Sequence, residues 1–387
     1  MELRGWLDAA DTRASLRLAQ AVGVRVEAVR PGFLQLVRQG ALHEPNGPID
    51  CGNSGTTMRL GAGLVTGIEG LSLLTGDTSL SRRPMARVAE PLRQLGATVL
   101  TRRSGTAPVV VWGGSTKGGR AELEVASAQV KSACLLAGIR AEGPVTVREP
   151  RPTRDHTERM IRAMGGEITV DGGAVTVFPG PLEAISFAVP GDPSSAAFWA
   201  AMAALRPGRQ IVLENVLLNP RRTGFFRLLA KAGADVTMIE QGDIPEPWGQ
   251  IVVTGGPLKA FQLGADDIPA MVDEVPLAAL IATQAEGTSE ISGADELRVK
   301  ESDRIQVTYT ILRALGARIE ERSDGWSIDG ISPLRGGPVD ARGDHRMAML
   351  TAVASTVAEG SIDLKGEESV AISYPDFFKE FLTLKGE

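Results

Sequence analysis

The chain has 387 residues, 43% of them hydrophobic and 23% charged, with a formal net charge of −6 at pH 7. That length exceeds what one core usually serves, so two domains are expected, and the composition is that of a packed chain rather than a disordered one. The acidic balance argues against a general binder of nucleic acid or anionic membrane, while leaving room for a local basic pocket.

Cys51 and Cys134 are too few and too isolated for a disulfide framework or a metal site. His43, His156 and His345 show no ligand spacing, so no metal is expected. The longest strongly apolar run, AAFWAAMAAL (196–205), is half of what a bilayer span needs, and no basic-then-apolar leader opens the chain. A cytoplasmic protein is expected.

Read from the start, LRLAQAVGVRVE (16–27) predicts an amphipathic helix that ends in glycine and runs into a strand. The pattern returns at PLRQLGATVL (91–100), MIRAMGGEITV (160–170), LLAKAGADVTM (228–238) and ILRALGARIEE (311–321). The glycines Gly23, Gly96, Gly166, Gly233 and Gly316 are spaced 73, 70, 67 and 83 residues apart, each suited to the left-handed position past a helix. A weaker sixth copy ends the chain at FLTLKGE with Gly386.

Ahead of each amphipathic helix after the first lies a more uniformly apolar one. These begin at NSGTTMRLGAGLV (53–65), SAQVKSACLLAGI (127–139), SSAAFWAAMAAL (194–205), DEVPLAALIA (273–282) and DHRMAMLTAVA (344–354). Helices apolar on all sides are buried helices. Most close with IEG or AEG, and short strands follow. The repeating unit is therefore buried helix, strand, amphipathic helix, strand, strand. Six copies make two similar α/β domains of three repeats each, 1–187 and 188–387, with the crossing near FAVPGDPSS (187–195). The first repeat is incomplete: its buried helix would begin some twenty residues before Met1.

The buried helices carry unusual residues at their starts. A helix N-terminus is electropositive and favours acids or bound anions, yet Arg59, Lys131 and Arg346 sit within two turns of such starts. Each costs about 0.3–1 kcal/mol unless something negative joins it. Three equivalent positions suggest a shared anionic ligand. Asn53, Ser54, Gly55, Thr56, Ser127 and Gln129 supply small or hydrogen-bonding groups beside them, several as helix caps. Ser194 and Ser195 read as capping and packing alone. RVKESDR (298–304) places five charges in seven positions. With a helix beginning near Ser302, Lys300 and Arg304 lie one turn apart and repel, while Glu301 and Asp303 neutralise them. Beside Arg346 and Arg83, the run reads as one lobe of a polyanion pocket.

NSGTTMR (53–59), RRPM (82–85), SAQVKSA (127–133), TRDHTE (153–158), ELRVKESDR (296–304) and GDHRMAM (343–349) together resemble the 5-enolpyruvylshikimate-3-phosphate synthase family. The motifs are collinear along essentially the whole chain, and the SAQVKSA and TRDHTE wording is similar to the bacterial class II form. The resemblance implies two domains of three βαβαββ units around buried helices, the enolpyruvyl transferase or inside-out α/β barrel. The implied activity is that of a transferase of the shikimate pathway, leading to aromatic amino acids. It moves the enolpyruvyl group of phosphoenolpyruvate to the 5-hydroxyl of shikimate 3-phosphate and releases phosphate. No metal or organic cofactor is implied, and the implied state is a monomer acting on small molecules, with no nucleic-acid or membrane partner.

Carried over by motif position, Asp273 would take or orient the hydroxyl proton and Glu301 would handle the proton at the methylene carbon. Gly55, Arg83, Gln129, Arg304 and Arg346 would hold phosphoenolpyruvate. Ser127, Gln129, Thr153, Asp273 and Lys300 would hold shikimate 3-phosphate, and Asn53, Thr56 and Arg154 are secondary candidates. The sequence departs from the family in three places. The family's N-terminal segment with a Lys-Ser pair and an Arg is absent, so the chain as written is expected to be impaired. Leu60 stands where many members have proline, which leaves the response to glyphosate open. Ala128 and Ile372 stand where some class I members have Ser and Lys. The rival readings are UDP-N-acetylglucosamine enolpyruvyl transferase, which needs a reactive cysteine that neither Cys51 nor Cys134 matches, and a truncated non-catalytic anion binder.

Overall fold

The computed structural model describes residues 1–114 and 116–385. Gly386, the sixth glycine of the repeat, lies outside the described residues. The chain divides into two compact units, Met1–Val189 and Pro190–Glu387.

Unit 1 contains helices α1 (Ala10–Ala21), α2 (Gly55–Val65), α3 (Ala86–Gln94), α4 (Ala128–Gly138) and α5 (His156–Ala163). Unit 2 contains α6 (Pro193–Ala204), α7 (Gly224–Ala232), α8 (Val275–Thr283), α9 (Arg304–Ala314), α10 (His345–Ala354) and α11 (Phe377–Lys385). The two kinds of helix differ as their sequences dictate. Every residue of α8 is buried, and so is nearly all of α6 and α10, whereas α3, α5 and α7 bury one face and leave the other to solvent.

One repeat shows how helices and strands combine. Strand Gln262–Leu263 leads into α8, and the chain returns through Gly287–Ile291, which pairs with it in parallel (Leu263 opposite Ile291). Amphipathic α9 follows, then a hairpin of Arg318–Arg322 and Gly325–Gly330 that completes the sheet antiparallel, with Trp326 opposite Ile291. The same order, one parallel pair and then two antiparallel neighbours, recurs in unit 1 around α2 and around α4. Around α10, strands Arg335–Asp340 and Glu359–Lys365 form the parallel pair.

The first sheet is completed from a distance. Phe187–Ala188 runs parallel to Glu2–Trp6, with Leu3 opposite Phe187, so the segment expected as a bare crossing is the edge strand of the opening sheet. Unit 1 thus holds two interior helices, α2 and α4, among its described residues, and unit 2 holds three. The two pack closely: a Cβ on Gly63 would lie 2.0 Å from the Ala133 carbonyl oxygen, a separation that only glycine permits. Met58, Ala62, Val65, Ala133, Leu135 and Ala137 form the centre of the unit 1 core, and Phe198, Ala201, Leu277, Ile281, Met347 and Leu350 lie in that of unit 2.

Several local expectations are corrected. Gly23, Gly96, Gly233 and Gly316 are left-handed, but in the third copy that role falls to Gly165 rather than Gly166, whose Cβ position is crowded by Ile161 and Leu182. Helix α6 is capped by Asp192, which accepts from the Ser194 amide, and Pro193 opens it, so Ser194 packs inside the first turn. Helix α9 begins at Arg304 with Asp303 as its cap. Lys300 therefore lies outside the helix, in the extended residue after a 3-10 turn over Asp295–Val299.

Candidate active site

In unit 1 the starts of α2 and α4 carry most of the assigned residues. Ser54 caps α2 by accepting from the Thr57 amide at 3.2 Å, and Ser127 caps α4 by accepting from the Val130 amide at 3.4 Å. Gln129 bridges the helices: its Oε1 accepts from Arg59 Nη1 at 2.6 Å and its Nε2 donates to Thr56 Oγ1 at 2.8 Å. Arg83 Nη2 donates to Asn53 Oδ1 at 2.9 Å, and Asn53 in turn donates to Asp77. A Cβ on Gly55 would lie 3.0 Å from Arg59 Nη1 and 3.2 Å from Arg83 Nη1. Two guanidinium heads therefore converge over the first residue of α2, where free amides already favour an anion.

Lys131 does not share in that arrangement. It is fully buried in the first turn of α4, with Nζ 3.0 Å from Glu149 Oε1 and 2.7 Å from Glu158 Oε1. The protein's own carboxylates supply its counter-charge, which corrects the expectation that Arg59, Lys131 and Arg346 serve one ligand. Glu149 also accepts from the Thr153 amide at 3.1 Å and from its hydroxyl, so the loop bearing Thr153 and Arg154 hangs from the Lys131 pair. Thr153 itself is buried, and Arg154 is partly exposed.

Unit 2 gathers the remaining assigned residues around Arg304, which is 1% exposed. Its Nε donates to Asp344 Oδ2 at 2.9 Å and Nη2 to Asp344 Oδ1 at 3.3 Å. Nη2 also reaches Glu301 Oε2 at 2.7 Å, and Nη1 reaches Asp273 Oδ1 at 3.3 Å. Arg346 lies 3.8 Å from Asp273 Oδ2 and 3.7 Å from Glu274 Oε1. Lys300 Nζ lies 3.7 Å from Glu296 Oε1.

The charges set one another's proton affinity. Burial opposes the charge of Arg304, but Asp344, Glu301 and Asp273 outweigh it and hold the guanidinium protonated. Burial would raise the Asp344 carboxyl, yet Arg304 beside it keeps it below the usual range. Burial lowers Lys300 despite the attraction of Asp273 and Glu296. Burial and neighbouring Arg346 hold His345 down to about 4, so its ring is neutral at pH 7. Burial pushes both Cys51 and Cys134 up to about 12, which leaves neither thiol nucleophilic near neutrality.

Sequence reasoning passed over Asp344 and Glu149. Asp344 had a readable signal, an acidic residue just ahead of an apolar helix, and it does cap α10 by accepting from the Arg346 amide. Glu149 had none, because its partner is 18 residues away on α4.

Fold and site together define a two-domain α/β enzyme of βαβαββ repeats, with guanidinium and carboxylate groups gathered at helix starts. Solved structures agree. The EPSP synthase from Acinetobacter baumannii matches with a TM-score of 0.87 at 40% identity, covering 100% of this chain and 89% of that one. The enolpyruvyl transferase NikO from Streptomyces tendae shares the fold at 16% identity and a TM-score of 0.77, over 99% of this chain and 88% of its own. The 3-phosphoshikimate 1-carboxyvinyltransferase of Synechococcus sp. (strain WH7803) is 45% identical over 99% of this chain and 90% of its own length. That of Anaeromyxobacter sp. (strain Fw109-5) is 47% identical over 97% and 88%. Residues 1–381 match the family model described as EPSP synthase (3-phosphoshikimate 1-carboxyvinyltransferase). The chain belongs to that family and is a transferase.

Proposed function

We propose that the protein transfers the enolpyruvyl group of phosphoenolpyruvate to the 5-hydroxyl of shikimate 3-phosphate, giving 5-enolpyruvylshikimate 3-phosphate and phosphate. The observation that carries the reading is that Asp273 and Glu301, the two carboxylates assigned to proton transfer, flank one buried guanidinium, Arg304. In the reaction, Asp273 orients the acceptor hydroxyl and takes its proton as the oxygen bonds to C2 of the enolpyruvyl group. Glu301 delivers a proton to the methylene carbon in that step and removes one as the C–O bond to phosphate breaks, and the hydroxyl proton taken by Asp273 departs with the phosphate. Arg304 and Arg346 hold the donor's carboxylate, since a planar fork matches a carboxylate bidentately. Arg83 and the α2 start over Gly55, with Gln129, hold its phosphate. Ser127, Gln129, Thr153 and Lys300 hold the phosphorylated acceptor, with Asn53, Thr56 and Arg154 in support. On this reading the enzyme works as a cytoplasmic monomer.

The test mixes the protein with phosphoenolpyruvate and either shikimate 3-phosphate or UDP-N-acetylglucosamine, and follows phosphate release. Release with shikimate 3-phosphate alone is expected. Release only with the sugar nucleotide overturns the choice of acceptor, and anion binding without release in either arm overturns the catalytic reading.

A further inference from the structure

Arg298 is the one cation of RVKESDR for which the proposed reaction has no use, yet its guanidinium makes as many hydrogen bonds as that of Arg304. Its Nη1 donates to Asp303 Oδ2 at 2.8 Å and its Nε to the Ser323 carbonyl at 2.7 Å. Its Nη2 donates to the Arg322 carbonyl at 2.7 Å and to Glu321 Oε1 at 3.1 Å. Four acceptors on one guanidinium are more than a solvated surface charge collects. Two of them are main-chain carbonyls at the turn of the hairpin Arg318–Gly330.

That turn is itself fixed. The Asp324 carboxylate accepts from the Gly293 amide at 2.7 Å, and the Asp324 carbonyl accepts from the Ala294 amide at 2.8 Å. Of the two side-chain acceptors, Asp303 caps α9 through the Gln306 amide at 3.0 Å. The bond from Arg298 to Asp303 therefore closes a short loop whose interior residues, 299–302, include Lys300 and Glu301. A second tie, Ser302 Oγ to Asp344 Oδ2 at 2.9 Å, holds the loop to the start of α10. Past Val299, where the 3-10 turn ends, residues 300–302 bend and are neither helix nor strand. Its shape depends on these side-chain ties.

We infer that Arg298 is a positioning residue: it clamps the 299–303 segment to the hairpin and so fixes Lys300 and Glu301 relative to Arg304. It touches no substrate in the proposed reaction, on which the expected catalytic effect rests. Arg304 has its own anchor in Asp344, so loss of Arg298 displaces Lys300 and Glu301 while sparing Arg304. That asymmetry sets the test apart from general destabilisation. Misplacing a reacting group by about 1 Å costs on the order of 100-fold in rate.

The experiment compares wild type with Arg298→Met and, as a milder probe, Glu321→Gln, which keeps an acceptor oxygen but removes the negative charge of the partner outside the loop. Steady-state kinetics well below the unfolding temperature give both Michaelis constants and kcat per folded enzyme. Arg298→Met is expected to lower kcat roughly 10- to 100-fold and to raise KM for shikimate 3-phosphate, while KM for phosphoenolpyruvate stays within about twofold of wild type. Glu321→Gln is expected to move the same constants in the same directions, by less. Hydrogen exchange of peptides covering 298–304 is expected to quicken in both variants, with the rest of unit 2 unchanged. Exchange needs no turnover, so it reads the clamp even where the assignment of substrates fails. Unchanged exchange in that segment, or a loss of activity that leaves both Michaelis constants untouched and tracks the folded fraction, overturns the inference.

Discussion

Arg304 and Asp344 meet edge to edge, the guanidinium Nε and Nη2 on the two carboxylate oxygens at 2.9 and 3.3 Å, with Asp344 completely buried. The pair joins the first residue of α9 to the cap of α10, so one contact fixes a charge and two helix starts together. Asp344 also receives Ser302, which ties the charged segment 298–304 to the same point.

Asp344→Asn should therefore be costly near neutrality. Leaving a buried charge uncompensated typically costs about 3–5 kcal/mol; Arg304 keeps Glu301 and Asp273 as partners, so a loss near the lower end of that range is expected. The sign with pH follows from the depressed carboxyl. A group lowered in the folded state contributes stability above its unfolded value, about 3.9 for aspartate, and loses it as pH falls through the folded value. Denaturation midpoints of wild type and variant should thus lie far apart at pH 7 and converge below about pH 4. An offset that stays constant down to pH 3 would show that Asp344 titrates like an exposed carboxylate.

Lys131 offers a second buried charge in unit 1, held between Glu149 and Glu158. Lys131→Met should destabilise by about 3–5 kcal/mol because two carboxylates lose their cation. Adding Glu149→Gln and Glu158→Gln to that variant should recover part of the loss, since neutral amides no longer need a counter-charge. Chemical denaturation of the single and triple variants checks this. A triple variant less stable than the single would mean that the carboxylates are held by other groups.

The repeat was legible because its signal is dense. Apolar runs such as DEVPLAALIA and glycine-terminated amphipathic runs such as ILRALGARIEE mark α8 and α9 without any tertiary information. What the sequence hid was long-range pairing. Phe187 finds Leu3 across 184 residues, and Arg304 finds Asp344 across 40. Lys131 looked like Arg59 and Arg346 by position alone, because a cation at a helix start reads the same whether its partner is a ligand or a glutamate just past the next strand. Arg298 read as one more charge in a run. Its role depends on the hairpin turn at 322–325, which no local pattern announces.

His345 opens α10 between Asp344 and Arg346, close to the acid–base groups. Held down to about 4 by burial and by Arg346, it stays neutral from pH 6 to 8. Groups facing it include Asp344 and Glu301, which favour the charged ring, and Arg304 and Arg346, which oppose it. His345→Gln should therefore leave the shape of the pH–rate profile unchanged over that range, whatever it does to the absolute rate. Disappearance of an inflection near pH 6.5 in the variant would show that the ring titrates and that its burial has been misjudged.

Gly55→Ala tests whether the guanidinium heads over α2 hold the donor phosphate. The added methyl would sit 3.0 Å from Arg59 Nη1, 3.2 Å from Arg83 Nη1 and 3.6 Å from Leu80 Cδ1. The two closest atoms are the ends of long side chains, which can withdraw by a few tenths of an ångström, so the fold should survive. Alanine also favours helix over glycine by up to about 1 kcal/mol, which offsets the crowding. The unfolding temperature should change little. The positions of both heads over the helix start should change, and with them the fit to a phosphate. KM for phosphoenolpyruvate is expected to rise about tenfold, equivalent to about 1.4 kcal/mol, while KM for shikimate 3-phosphate moves much less. Steady-state kinetics with each substrate varied in turn give both constants, and a variant with wild-type affinity for phosphoenolpyruvate would remove Arg83 and the α2 start from the donor site.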